Sequence, residues 1–275
     1  MIEDLARNSA VNLLVATKAL VLPALFFLCL GLATKGSALL GDIRRTARET
    51  ALNLQVMLAN VLLVVPLFAL ANQAMSGFFA QPGRQLVDTA TWSQLPAWLV
   101  ILLAVIWGDF VGYWRHRLEH SAVLWPSHAI HHSDTQMTWL ALERFHPINR
   151  ATTFLIDGAA VMALGFPPEA ALANHLVRHY YGFFIHADLP WTYGRLGLIF
   201  VSPAMHRWHH AADPQAFDTN YATVFSVFDR AFGTFRVPGP CTVPLGVTDR
   251  IPQTLLGQLR HPFRRTVYRG LFRRK

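Results

Sequence analysis

The chain has 275 residues, of which 53% are hydrophobic and 15% charged, and its mean hydropathy is +0.30. Soluble domains carry about 25% charged residues, so this composition excludes an ordinary water-soluble enzyme and points to a protein that uses lipid as part of its solvent. The 24 Lys and Arg outnumber the 16 Asp and Glu, and seven of the basic residues fall between Arg260 and Lys275 with no acid among them; beside apolar stretches such a tail belongs against anionic headgroups on the cytoplasmic side, not on nucleic acid.

The chain starts Met-Ile-Glu-Asp, with acid where a signal peptide would carry positive charge, so no cleaved targeting segment is expected. Ala19 to Thr34 is apolar and predicts a first span, with Lys18 snorkelling to the interface. Ala51 to Ala71 contains no charge and is the clearest span. A third runs from Leu95 to Trp114, with Trp92, Trp98, Trp107 and Trp114 supplying the aromatic ends expected near headgroups. Ala151 to Phe166 and Glu169 to Ala187, separated by Pro167 and Pro168, read as a hairpin. The 35–50 connection holds Lys35, Arg44, Arg45 and Arg48, the 80–94 connection only Arg84, and the 115–150 stretch Arg115, Arg117, Arg144 and Arg150. That alternation predicts the N-terminus outside and both the 35–50 connection and everything after about 115 inside. The sequence therefore predicts an all-α polytopic membrane protein of one structural domain with about four transmembrane helices.

Histidine is the second anomaly. Twelve of the 13 lie between positions 116 and 210. His116 and His120 form HxxxH; His128, His131 and His132 form HxxHH; His206, His209 and His210 form HxxHH again. Positions i, i+3 and i+4 share a helix face, so each motif is expected to present its imidazoles in one direction. Imidazoles near a bilayer need partners for a donor and an acceptor each, and metal ions supply them. Eight rings exceed one four-coordinate zinc, which predicts two metals, although imidazole alone does not choose among zinc, copper, iron and nickel.

His175, His179 and His186 share one face of a helix leading into the last motif; His179 and His186 are read as ligands and His175 as a further candidate. His146 reads equally as a site residue or as a loop residue stacked on Phe145 or bonded to backbone, and His261, among the arginines of the tail, as a surface residue. Asp109, the one acid inside the third span and in helical phase with His116 and His120, is expected to orient a ligand imidazole. Glu119 falls on another face and is expected to pair with Arg115. Cys29 and Cys241 stand far apart, which excludes a thiolate zinc site.

The order HxxxH, HxxHH, isolated His, HxxHH, followed by Asp218-Thr-Asn-Tyr221 and Phe228-Asp-Arg-Ala-Phe-Gly-Thr234, resembles the fatty acid hydroxylase/sterol desaturase superfamily of integral-membrane di-iron oxygenases over roughly residues 105 to 236. The resemblance implies two iron ions held by His116, His120, His128, His131, His132, His206, His209 and His210, with His186 and His179 completing the set. It also implies a cytoplasmic helical cap holding the metals, and divides the chain into a spanning region 1–104, a catalytic region 105–236 and a basic cytoplasmic tail 237–275. It further implies O2 as co-substrate, a lipid substrate whose C–H bond is hydroxylated or desaturated, and a bacterial inner membrane as location. Such oxidation consumes two electrons; the chain has no haem or dinucleotide signature, so a ferredoxin or cytochrome-type donor with its reductase is implied. Gly182 stands where the fatty-acid 2-hydroxylase branch has the first His of HxxxH, Asn149 where many relatives carry Glu, and Ala222 where Gly commonly follows Asn-Tyr. These departures point toward the bacterial sterol-desaturase-like group. A zinc hydrolase is disfavoured because HExxH is missing, and a metal transporter because the best spans hold no histidine.

Overall fold

The computed structural model describes residues 2–271, so the last four residues of the basic tail lie outside it. Among the described residues no β-strand occurs beyond one bridge between Ala211 and Leu245. The long elements come first: α1 (Ile2–Lys35), α2 (Ala38–Leu63) and α3 (Val65–Phe79). Gly36, at φ +54, makes the reversal between α1 and α2, a left-handed backbone that favours glycine. A short α4 (Thr89–Trp92) is capped by the Asp88 carboxylate, which accepts from Ala90 N–H at 2.8 Å. It leads into α5 (Ala97–Glu119).

The segment Ala51–Ala71 is not one straight helix. It breaks between α2 and α3 with a bend of 50°, because Pro66 has no N–H to offer the Leu62 carbonyl and its ring crowds that oxygen. Ala10–Lys35 and α5 are long and apolar enough to cross a membrane, and α2 with α3 makes a third if the bent pair counts as one span. The expected hairpin exists as α7 (Pro147–Thr152), a π-helical turn Thr153–Asp157, α8 (Gly158–Ala163) and then α9 (Pro168–His186). Neither arm reaches the ~20 apolar residues of a crossing, so the described helices give two or three spans where the sequence predicts about four. Exposed Leu14, Leu22 and Leu25 on α1, Leu67 on α3 and Trp98 on α5 are surfaces that suit hydrocarbon.

Close packing of α5 against α9 positions the site. A Cβ on Gly108 would collide with the Asn174 side chain, and one on Gly112 with the Arg178 guanidinium. The charges brought in by this approach are paired: Arg178 and Arg115 bond the Asp157 carboxylate at 2.8 and 2.9 Å, and Arg115 also holds Glu119 at 2.8 Å. Around them pack Val100, Ala104, Val161, Phe166 and Ala170. The remaining helices are short: α6 (Trp125–His132), α10 (Pro203–His209), α11 (Val227–Ala231), α12 (Leu255–Arg260) and α13 (Arg265–Leu271). The C-terminal segment is docked. Gln258 Nε2 donates to Ser133 Oγ at 3.2 Å, and the fully buried Arg144 is gathered between Asn53 and Glu49 of α2, Ser133 and Gln253.

Candidate metal centre

Each histidine motif sits on the end of a helix that proline or a side-chain cap starts. Pro126 opens α6, and Ser202 Oγ accepts from Met205 N–H at 3.1 Å to open α10. The rings converge into two groups, His116, His120, His128, His132 and His209, and His131, His186, His206 and His210, whose ligand nitrogens lie within 4.8 Å of one another in each group. The HxxHH motifs do not point one way. In both, the i and i+4 rings join one group while the i+3 ring joins the other: His128 and His132 against His131, His206 and His210 against His209. Adjacent residues on a helix are about 100° apart, so each motif serves both groups.

One loop orients the first group. His120 Nδ1 meets the Asp218 carboxylate at 3.2 Å, His209 Nδ1 donates to Thr219 O at 2.6 Å, and His116 Nδ1 donates to Tyr221 O at 2.7 Å. The turn needs left-handed backbone at Asp218 (φ 57) and Asn220 (φ 60), the region that Asp and Asn tolerate best after glycine. Buried Asn220 fixes it by donating to Met205 O at 3.0 Å and Arg236 O at 2.7 Å. Two carboxylates hold the rest of the loop. Asp229 accepts from Tyr221 N–H and Ala222 N–H at 2.7 and 3.0 Å, and Asp109 accepts from Thr223, Val224 and Phe225 N–H at 2.7 to 3.2 Å. Burial pushes the Asp229 carboxyl up to about 6, against the hydrogen bonds that favour its charged form.

A carbonyl only accepts, so His116 and His209 carry their protons on Nδ1, which leaves a bare lone pair on each Nε2. Those two Nε2 atoms face each other at 2.9 Å, and His128 Nε2 is 3.0 Å from that of His116. In the second group His186 donates Nδ1–H to Gly182 O at 2.6 Å, and its Nε2 faces those of His206 at 2.9 Å and His131 at 3.2 Å. Burial holds His128, His131, His132, His206, His209 and His210 well below the usual imidazole value, and His186 at about 4. Neutral rings with opposed lone pairs repel; a cation between them turns that arrangement favourable. The Nε2 atoms of His120, His132 and His210 are likewise buried without a hydrogen-bond partner. The donor set fits metal.

Other candidates lie elsewhere. His179 joins neither group: its ring packs on Phe183 at 4.5 Å and stacks on His175 at 5.8 Å, because α9 turns that face toward Glu143 and Arg150. Burial brings His179 down to about 4. His175 is outside the groups for the same reason. His146 caps α7, accepting from Ile148 N–H at 3.1 Å and donating from Nε2 to Leu259 O at 3.1 Å, and it joins neither group. His261, expected at the surface, is buried because the tail docks on α6 and α7. Asp109 bonds no imidazole; its carboxylate is taken up by the 223–225 backbone, and it reaches His116 only through the loop carrying Tyr221. Glu119 pairs with Arg115 as expected, but a carboxylate oxygen also lies 3.4 Å from His128 Nδ1. The sequence reading missed that second contact and the carbonyls of Thr219 and Tyr221, for which the left-handed Asp218-Thr-Asn-Tyr221 turn was the available signal.

Residues 101–234 match the fatty acid hydroxylase family. The chain is 32% identical over 174 residues to the ornithine lipid hydroxylase OlsE of Rhizobium tropici, covering 62% of this chain and 53% of that protein. It is 33% identical over 146 residues to the alkylglycerol monooxygenase of Caenorhabditis elegans, 53% of this chain and 28% of that one. It is 29% identical over 137 residues to a Delta(7)-sterol 5(6)-desaturase of Gibberella zeae, 50% and 37% of the two chains. The chain thus spans about half or less of the length of these relatives. No solved structure matches.

Proposed function

Through residues 101–234 the chain belongs to the fatty acid hydroxylase family, and we propose that it is an integral-membrane di-iron oxygenase acting on an unactivated C–H bond of a lipid. The observation that carries this reading is the pair of converging imidazole groups, five rings and four, of which all but the half-buried His120 are buried. His116, His120, His128, His132 and His209 would hold one iron and His131, His186, His206 and His210 the other. When bound, two irons activate O2 for C–H oxidation. Hydroxylation then balances as substrate, O2, two electrons and two protons giving alcohol and water; desaturation removes two hydrogens with two waters formed.

The chain's own residues have two tasks. The loop 218–221 fixes the tautomers of His116 and His209, so that Nε2 faces the metal. Apolar packing by Phe145, stacked on His131 at 4.3 Å, and by Tyr113 and Met205 excludes water from a site where a reactive oxidant must meet substrate first. The two electrons come from outside, from a ferredoxin or cytochrome-type donor. Lys35 and the 44–48 arginines fit a cytoplasmic placement of the site, under the positive-inside rule.

A membrane zinc hydrolase would need a free carboxylate to activate water. Glu119 is committed to Arg115, His128 and Thr152, which disfavours it. A transporter would string histidines along a span, whereas most of these sit on the short helices α6 and α10 and at helix ends. The test is metal analysis of purified chain joined to lipid analysis of cells with and without it. Two irons per chain and an O2-dependent lipid shift of one oxygen or two hydrogens are expected; one zinc with no turnover would overturn the reading.

A further inference from the structure

Between α1 and α2 lies a cavity of about 540 Å³, within the ~300–1,000 Å³ usual for small-molecule sites. Its body is apolar, with Phe27, Leu28, Leu54, Trp139 and Leu140 among its walls. Along α1 it runs from Ala24 to Lys35, about 16 Å at ~1.5 Å per residue. Its inner wall is Ala187–Leu189, which directly follows His186 of the second group, so one Cα step of ~3.8 Å separates wall from ring-bearing residue. Trp139 stacks on Phe27 at 5.1 Å and meets Phe183 at 5.2 Å, closing the cavity between α1 and α9. Helices α1 and α2 lie outside residues 101–234, the stretch shared with the family.

One end is different. Lys35, Asp42 and Asp188 line it, and they form a row of alternating charge: Arg45 to Asp42 at 2.9 Å, Asp42 to Lys35 at 2.7 Å, Lys35 to Asp188 at 2.5 Å and Asp188 to Arg207 at 3.1 Å. The Asp42 and Asp188 side chains keep 25% and 37% of their surface, so both remain open to an incoming group. The row stands where the apolar helix α1 ends, the end that a span would present to headgroups. An anionic head alone would meet the two carboxylates, and a cationic head the lysine and arginines. A head with both charges can take the place of Lys35 between the aspartates while Lys35 and Arg207 take its anion.

Resting on the oxygenase reading above, we infer that this cavity binds the substrate and selects a zwitterionic lipid, its ammonium on Asp42 and Asp188, its anion on Lys35 and Arg207, and a hydrocarbon chain along α1 toward Ala24, with the head end nearest His186. The anion is a phosphate or a carboxylate.

Native mass spectrometry of the full chain purified in detergent tests this, with dioleoyl phosphatidylethanolamine, dioleoyl phosphatidylglycerol, cholesterol and an amino-acid lipid bearing a free carboxylate as probes. At least one of the two zwitterionic probes is expected to be retained at tenfold lower concentration than phosphatidylglycerol or cholesterol, and the stronger of the two identifies the anion. Asp42→Asn with Asp188→Asn, which conserve volume, should cut that retention at least tenfold, and Ala47→Trp, which fills the cavity from α2, should do the same without loss of bound metal. Equal retention of all probes, or retention untouched by the double substitution, overturns the inference. Lipid oxidation measured on the same samples, loaded with ferrous iron and supplied with O2 and a ferredoxin with its reductase, separates the two claims: selective retention without oxidation sinks the oxygenase reading and leaves the cavity, while oxidation without selective retention sinks the cavity alone.

Discussion

Glu119 and His128 meet across the two helices that flank the first histidine group, with a carboxylate oxygen 3.4 Å from Nδ1. Thr152 Oγ1 donates to the other oxygen of the same carboxylate at 2.5 Å, and Arg115 anchors it at 2.8 Å. A carboxylate held on both oxygens this close to Nδ1 favours a proton there and a bare Nε2, in competition with the Asn149 amide nitrogen, which lies 3.4 Å from the same Nδ1. Glu119→Gln keeps the volume and removes the charge. Metal affinity should fall about 10–100-fold, the usual effect of such outer partners, as read by competition with a chelator. Unchanged affinity would mean that Glu119 serves Arg115 and Thr152 and not the ring.

The division of the rings makes a sharper test of the ligand assignment. His131→Ala and His209→Ala each remove one ring from a different group and should each lower the metal content of purified chain below two. His179→Ala should leave both metals in place, since its ring lies against Phe183 and His175. Elemental analysis of the three variants beside the unaltered chain decides it, and loss of metal from His179→Ala would contradict the geometry.

Much of this centre was legible in the residues. The spacings His116/His120, His128/His131/His132 and His206/His209/His210 put imidazoles on short helices, and nine of the ten proposed ligands meet. Which ring joins which group was not legible, because it depends on how α6 and α10 are rotated against each other, and periodicity within one helix carries no such information. Asp109 has the right helical phase for His116, yet its carboxylate goes to the 223–225 backbone, whose unpaired N–H groups arise only in the folded loop. Ala51–Ala71 read as one span because charge was counted and Pro66 was not. His261 read as exposed because its sequence neighbours are arginines, whereas its burial follows from the docking of α12.

Asp109 supports His116 through the backbone, so its removal should be felt as disorder of the loop first. In Asp109→Asn one acceptor oxygen becomes a donor facing backbone N–H groups, and at least one of the bonds to Thr223, Val224 and Phe225 is lost. A buried donor left unmatched costs about 1–3 kcal/mol. Thermal unfolding in detergent should show that loss, together with faster protease cleavage near residues 218–225. A variant as stable and as resistant as the parent would show that Asp229 alone holds the loop.

His146 gives the chain a pH dependence outside the metal groups. Burial lowers its pKa from the ordinary 6.5, and its Nδ1 must stay bare to accept from Ile148 N–H while Nε2–H donates to Leu259 O. Once unfolded, the ring takes a proton below about 6.5 that the folded state refuses, so the unfolded chain binds more protons there and stability falls as pH drops. Above 6.5 the two states bind equally and the contribution is complete. Asn is a strong helix cap without a titrating group, so His146→Asn keeps the start of α7 and loses the bond to Leu259. The variant should therefore be less stable than the parent at pH 7, and the gap should narrow from pH 7 to pH 5 as the parent loses its advantage. Unfolding temperatures of both proteins at pH 5, 6 and 7 check this; parallel curves would show that His146 keeps its ordinary pKa in the folded chain.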